Sequence, residues 1–246
     1  VFEFLDKKVI VVGAGTGIGR SVAVKFAKKG ANVACLSKNE ANCSETASLA
    51  GKKAFAVSCD ISDYSSVVSS MGLAMTKLGG VDILVNTAGI NMMAHTHQSM
   101  TSDFDNIIKT NLNGTYYTCK LAIGYMVQNH EGGCIINTSS MAAEMPLPWS
   151  AAYVASKAGV VGLTKELAYE YKKNNIRVNA VSPGGVDTPF VSKQDLPDGA
   201  DFNLVNRFVD ELIPADDAAE MYLYLAGAKA KHITGSVFNI DRGVSV

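Results

Sequence analysis

One pattern runs through the chain from end to end: a short apolar run closed by glycine or a polar residue, then a longer amphipathic stretch. The apolar runs are "KVIVVG", "ANVACLS", "KAFAVSC", "VDILVN", "GCIINTS", "IRVNAVS" and "SVFNI", each strand-like by its length and flanking residues. Between them, 17–29, 40–50, 64–78, 101–128, 151–173 and 215–226 have the length and periodicity of helices. Strand and helix alternating in this way predict a doubly wound, mainly parallel sheet of about seven strands with helices on both faces, an α/β class of Rossmann type. Such a sheet takes its ligands outside the carboxyl ends of its strands. Residues that carry chemistry are therefore sought just after a strand or at the start of the following helix.

The 246 residues suffice for one large α/β domain or two small ones, and for a substantial core. No Pro/Ser-rich linker, charge block or internal repeat divides them, which predicts one domain over 1–246. A net charge of −1, from 22 basic and 23 acidic residues, offers no electrostatic footprint for nucleic acid. The stretch "VFEFLDKKVIVVG" leads into an apolar run too short for a membrane span and lacks a small-residue cleavage pattern, so it reads as the approach to a first core strand. Cys35, Cys43, Cys59, Cys119 and Cys134 are odd in number and never paired as Cys-x-x-Cys. That argues against a disulfide framework or a zinc site and fits reduced thiols in a cytoplasmic enzyme without a metal. His95 and His97, in the loop after the fourth strand, have no acidic or cysteine partner at ligand spacing and read as solvated loop residues.

The rhythm breaks once. From Asp187 to Ile213 no strand pattern appears, and Pro189, Pro197 and "LPDGAD" mark a long connection with one short helix near 202–212. A connection of this length inside a compact domain is a functional lid or a disordered loop, and 188–213 is read here as a substrate lid. The apolar Met92, Met93, Met141, Met145, Leu147 and Trp149 fall on loops near strand ends, where they would line a pocket or an interface.

The first strand runs directly into Gly13, Gly15, Gly17 and Gly19 and then a helix. Glycines at that junction permit a tight turn and close approach of backbone to phosphate, and the helix N-terminus offers unpaired N–H groups to a pyrophosphate. Further along, "VDILVNTAG" closes a strand with Asn86, Ala88 and Gly89, small enough to let a dinucleotide pack closely. "KTNLNG" sets Asn111 and Gly114 inside a long helix, where asparagine is a poor helix former. "TSS" ends another strand at Ser139 and Ser140, and "YVASK" places Tyr153 and Lys157 four apart, on one face of a helix. Taken alone, that spacing favours a half-buried aromatic beside a solvated ammonium, and only the context makes it chemistry.

Together, in order and at this spacing, these motifs resemble the short-chain dehydrogenase/reductase family over essentially the whole chain. The resemblance rests on Gly13, Gly17 and Gly19, on "NTAG" in place of Asn-Asn-Ala-Gly, on Asn111, the second serine of "TSS", "YVASK" and "SPGGVDT". It implies a catalytic tetrad of Asn111, Ser140, Tyr153 and Lys157, with Ser140 chosen over Ser139 because it lies thirteen residues before the tyrosine. It implies cofactor contacts from the glycine loop (Gly13, Gly15, Thr16, Gly17, Ile18, Gly19), from Ser37, Lys38, Asp60 and Ile61, and from Asn86, Ala88 and Gly89. Tyr153, Lys157, Pro183, Gly184, Val186 and Thr188 complete the set, and a homotetramer or homodimer built on the helices at 101–128 and 151–173 is implied as well. Thr87 and Arg242 depart from the family pattern at positions outside the tetrad.

The chemistry of the tetrad follows from its residue types. A phenol of ordinary pKa about 10 is a poor acid or base at neutral pH, and a nearby ammonium favours the phenolate. With Lys157 supplying that charge, Tyr153 is expected to exchange a proton with the oxygen of a carbonyl or secondary alcohol as hydride moves to or from carbon. Ser140 would orient the same oxygen, and Asn111, by family analogy, would anchor a water leading from Lys157 to solvent.

For the cofactor, the second strand ends in "SKNE". Ser37 stands where NAD-preferring members carry aspartate, and Lys38 can attract a 2′-phosphate as a point charge. Thr16 is neutral and Glu40 is close by, yet NADP(H) is expected over NAD(H). The expected function is reduction of a carbonyl or oxidation of a secondary alcohol on a small molecule. The alternatives are an NAD-dependent sugar or polyol dehydrogenase, and a dinucleotide-binding scaffold without catalysis.

Overall fold

The structure, a computed structural model, describes residues 3–130, 132–204 and 211–246. Strands β1 (Lys8–Val12), β2 (Asn32–Ser37), β3 (Ala54–Ser58), β4 (Ile83–Asn86), β5 (Gly133–Thr138) and β6 (Ile176–Pro183) alternate with helices. The helices are α1 (Gly17–Lys28), α2 (Glu40–Ala50), α3 (Tyr64–Leu78), α4 (Thr101–Ile108), α5 (Gly114–Asn129) and α6 (Ala151–Glu170). A two-residue ladder of β7 (Val186–Asp187) with β8 (Ile213–Pro214) precedes α8 (Ala215–Ala226) and β9 (Val237–Ile240), and the short α7 (Pro189–Ser192) lies inside the loop that this ladder closes. The main sheet is parallel throughout, in the order β3-β2-β1-β4-β5-β6-β9.

Alternation along the strands separates two cores. Val9, Val11, Val33, Cys35, Ile83 and Val85 face α1, α2 and α8, where Phe26, Cys43 and Tyr222 are fully buried. Ile10, Val12, Ala34, Leu36, Leu84 and Ile135 face α3, α5 and α6 through Met71, Met126 and Leu167. Period-two side chains on a sheet covered on both faces require this division. Helix ends follow local chemistry: Asn39 and Asp63 cap α2 and α3 through side-chain oxygens, and Gly79 closes α3 in the left-handed region.

Two helices differ from the expected extents. The stretch expected as one helix over 101–128 contains a π-turn at Lys109–Asn113 between α4 and α5. The helix expected to reach 173 ends at Glu170, followed by a 3₁₀ turn at Lys172–Asn174 and Asn175 at φ 57°. The helix expected over 202–212 is a 3₁₀ turn at Phe202–Leu204 and is not helical at Glu211 and Leu212, while 205–210 lie outside the described residues.

Candidate active site

Strand order reverses between β1 and β4, and loops leaving their carboxyl ends diverge to opposite sides of the sheet. That divergence opens a cleft of about 330 Å³, the expected ligand position in a doubly wound sheet. Its floor is the glycine turn. Gly13 has φ 85°, and a side chain there would collide with the backbone of Thr87 and Ala88, so neither the turn nor the packing against β4 tolerates a Cβ. Gly13 and Ala14 donate their N–H groups to Leu36 O at 2.8 and 3.0 Å. Arg20 braces the loop from behind, its Nη2 donating to Gly15 O at 2.7 Å and to Glu45 Oε2 at 2.6 Å. Thr16 enters α1 in extended geometry without capping it, and the first turn of α1 holds no acidic residue. Unpaired N–H groups at a helix start bordering a glycine floor fit a pyrophosphate.

Ser37, Lys38, Asp60 and Ile61 border one end of the cleft, with Asn42 beside them. Lys38 Nζ lies 2.7 Å from Asp60 Oδ2, the lysine side chain being 78 % exposed. Partial burial works against the Asp60 carboxylate, but Lys38 and the hydroxyl and amide of Ser62 outweigh it and hold the carboxyl below its usual range.

At the other end, Ser140, Tyr153 and Lys157 come together. Tyr153 and Lys157 lie on α6 one turn apart, and Ser140 follows β5, so a single helix packed over a strand end assembles the three. Ser140 Oγ accepts from Ala142 N at 3.2 Å, and its hydroxyl works against the burial of the Tyr153 phenol. Ser139 instead donates to the Lys157 carbonyl at 3.1 Å. Lys157 Nζ donates to Thr138 O at 2.8 Å and stands 5.6 Å from the centre of the Tyr153 ring.

The electrostatics of the pair differ from expectation. Burial pushes Tyr153 up to about 12 and Lys157 down to about 8, whereas the sequence reading expects the ammonium to lower the phenol. The reason is geometric: the ammonium is turned toward the Thr138 carbonyl, and both groups are taken from water by the same packing.

Every expected cofactor residue lines the cleft except Asn86. Asn86 is buried between strand ends, donating to Asn137 Oδ1 at 3.0 Å and accepting from Thr118 Oγ1 at 2.8 Å. Asn111 also lies behind the cleft wall. Its side chain accepts from Ile90 N at 2.8 Å and donates to Ile90 O at 2.9 Å and Ser156 Oγ at 3.0 Å. That bidentate clasp of the loop after β4 supplies the reason for an asparagine in mid-helix, and the π-turn presents it.

Sequence reasoning missed Asn42, Thr138, Ile90 and Phe190 as lining residues. Phe190 carried no chemical signal, yet its ring lies 5.8 Å from that of Tyr153. His95, expected to be solvated, has Nε2 3.1 Å from Asp198 O and packs edge-on to Trp149. Met145, Leu147 and Trp149 cluster on Met141 beside the site, while Met92 is exposed.

The two departures from the family pattern have local reasons. Thr87 Oγ1 donates to Val12 O at 2.8 Å, tying β4 to β1. Arg242 sits at φ 58°, a conformation suited to glycine, and pairs with Glu211 at 2.6 Å.

Residues 7–198 match the family described as short chain dehydrogenase. The 3beta-hydroxysteroid dehydrogenase 1 of Eggerthella lenta is 35% identical over 254 residues, covering 99% of this chain and 95% of that protein. The D-threitol dehydrogenase of Mycolicibacterium smegmatis is 35% identical over 259 residues, covering 100% and 96%. Among solved structures, a 3-ketoacyl-(acyl-carrier-protein) reductase from Brucella melitensis complexed with NADH superimposes with a TM-score of 0.91 at 32% identity, over 99% of this chain and 100% of that one. With the family matched over residues 7–198 and these curated relatives covered over 95% and 96% of their lengths, the chain belongs to the short-chain dehydrogenase/reductase family and is an NAD(P)-dependent oxidoreductase.

Proposed function

We propose that this enzyme interconverts a carbonyl and a secondary alcohol on a small molecule, with Tyr153 as general acid and base and NADP(H) as the preferred cofactor. The observation that carries the reading is the convergence of Ser140, Tyr153 and Lys157 at one end of the cleft. The nicotinamide supplies or accepts the hydride when bound. Tyr153 holds its proton through neutral pH, as its raised pKa requires, and so is poised to donate it to a carbonyl oxygen. Ser140 orients that oxygen, and Lys157 is the cation that stabilises the phenolate left behind. Asn111 positions the loop after β4 by its clasp on Ile90.

Tyr153→Phe tests the assignment. The ring and its packing stay while the transferable proton is lost, so kcat should fall at least about 100-fold with cofactor affinity near wild type. Lys157→Ala should impair both. A loss of less than about tenfold in Tyr153→Phe would overturn the role.

The cofactor preference draws on Ser37 and on the exposure of Lys38. The Lys38–Asp60 pair favours the second reading, NAD(H), because Asp60 occupies the ammonium. An exposed pair of this kind is worth at most about 1 kcal/mol, so a 2′-phosphate can recruit the lysine. Steady-state kinetics should give the higher kcat/KM with NADPH, and Ser37→Asp with Lys38→Ala should reverse the order. A higher kcat/KM for NADH in the unmodified enzyme would refute the preference.

The names of the relatives support hydroxysteroids, polyols and acyl thioesters as substrates to screen first. In the same reading the chain is one catalytic domain, 188–213 is a substrate lid, and the protein assembles in the cytoplasm as a homodimer or homotetramer through α5 and α6. The assembly draws on exposed Tyr116 and Tyr169 on those helices.

A further inference from the structure

Tyr222 is the largest fully buried side chain on α8, and its hydroxyl is buried with it. A phenylalanine would fill the same core without the cost of desolvating a hydroxyl. The hydroxyl lies 2.8 Å from Thr138 Oγ1. Thr138 has one hydroxyl proton, and at 2.6 Å from the Asn86 carbonyl it is committed there. Tyr222 is therefore the donor, and the order runs from Tyr222 O–H to Thr138 O–H to the Asn86 carbonyl at the end of β4. The backbone carbonyl of the same Thr138 accepts the Lys157 ammonium at 2.8 Å. Ser139, the next residue, holds the Lys157 carbonyl. One strand-end dipeptide thus grips Lys157 at both ends, and Tyr222 braces it from α8, the helix that begins where the β8 base of the lid loop stops.

We propose that Tyr222 is a positioning residue for Lys157, acting through Thr138 to hold the strand-end carbonyl against the ammonium. The inference rests on the reading of Lys157 as part of the reaction machinery. Tyr222 and the Asn86 carbonyl together hold the Thr138 hydroxyl, which fixes the residue and so the direction in which its backbone carbonyl accepts the ammonium. Loosening it withdraws the acceptor that favours the charged form of a buried lysine. Among the described residues, the titratable side chains around Lys157 are Tyr153 on its own helix and, through Thr138, Tyr222 on α8; burial lowers the pKa of the lysine.

The test follows the Lys157 13Cε resonance through a pH titration of the cofactor-free protein, assigned by its loss in Lys157→Met. Tyr222→Phe and Thr138→Val should each lower the midpoint by about half a unit to one unit, the equivalent of one net hydrogen bond. Thr138→Ser, which keeps the hydroxyl, should leave it in place. The double variant should shift no further than Thr138→Val alone, as expected of residues acting in one chain. The alkaline limb of kcat should move with the resonance. An unchanged midpoint in Tyr222→Phe beside a lowered Tm would show that Tyr222 only ties α8 to the sheet, and would overturn the proposal. If Tyr222→Phe does not fold, the contrast between Thr138→Val and Thr138→Ser decides the same question, equal midpoints refuting it. Retained turnover in Lys157→Ala would refute the parent reading instead, while the resonance would still report on the brace.

Discussion

Lys157 is a buried amine among neutral neighbours, and its pKa near 8 follows from that burial alone. Its ammonium is present below about 8 and lost above it. If the charge stabilises the Tyr153 phenolate, kcat for carbonyl reduction should be flat at neutral pH and fall as pH rises through about 8. A pH profile level to pH 10 would show that the lysine charge has no part in turnover. At this scale the sequence exposed residue types and spacing but not environments. "YVASK" puts the amine and the phenol on one face, yet which atom the ammonium meets depends on the Thr138 carbonyl, nineteen positions away in the chain. Arg242 shows the same limit: Asp241 and Gly243 signal a turn, but that the positive φ falls on the arginine, and that it pairs with Glu211, depends on the fold.

The elements were largely legible, because their signals are local. α2, α3 and α8 begin and end where length and periodicity place them, and Asn39 and Asp63 cap the first two. The π-turn at Lys109–Asn113 was not, because the contact it accompanies, the clasp between Asn111 and Ile90, spans twenty-one residues. Among the described residues, the contacts that hold the loop closed by β7 and β8 include Asn91 Nδ2 donating to Gln194 Oε1 at 3.2 Å, His95 Nε2 beside Asp198 O, and the Glu211–Arg242 ion pair. Phe190 lies over Tyr153, so this segment contributes to the burial that raises the phenol's pKa. None of the described residues 188–204 is buried, and an exposed segment opens at low free-energy cost. Protease cleavage within 188–213 should therefore slow when cofactor and substrate are both present. Equal nicking rates with and without ligands would make it a plain loop.

Across the whole molecule the five cysteines are buried as free thiols. Burial pushes Cys35 and Cys119 up to about 12, Cys59 and Cys134 to about 11, and Cys43 upward as well. An unfolded thiol titrates near 8.5, so each one stabilises the folded state fully below that pH and loses its contribution as pH rises through its raised folded value, toward about 11 to 12 for Cys35, Cys59, Cys119 and Cys134. Lys157 acts in the opposite sense between about 8 and its unfolded value near 10.4, where the unfolded chain binds the extra proton. Five thiols outweigh one amine, so the urea midpoint should drop between pH 8.5 and 10, and thiol reagents should react only on unfolding. A midpoint constant across that range would contradict the burial of these groups. What the sequence by itself determined was the winding of the sheet and the dinucleotide turn, since apolar periodicity, glycine placement and helix caps act between residues close in the chain. Tertiary structure alone decided which charges meet and which groups lie dry: Lys38 on Asp60, Lys157 on Thr138, Tyr153 under Phe190. Distance and dielectric set those energies, and both depend on the packing of segments far apart in the chain.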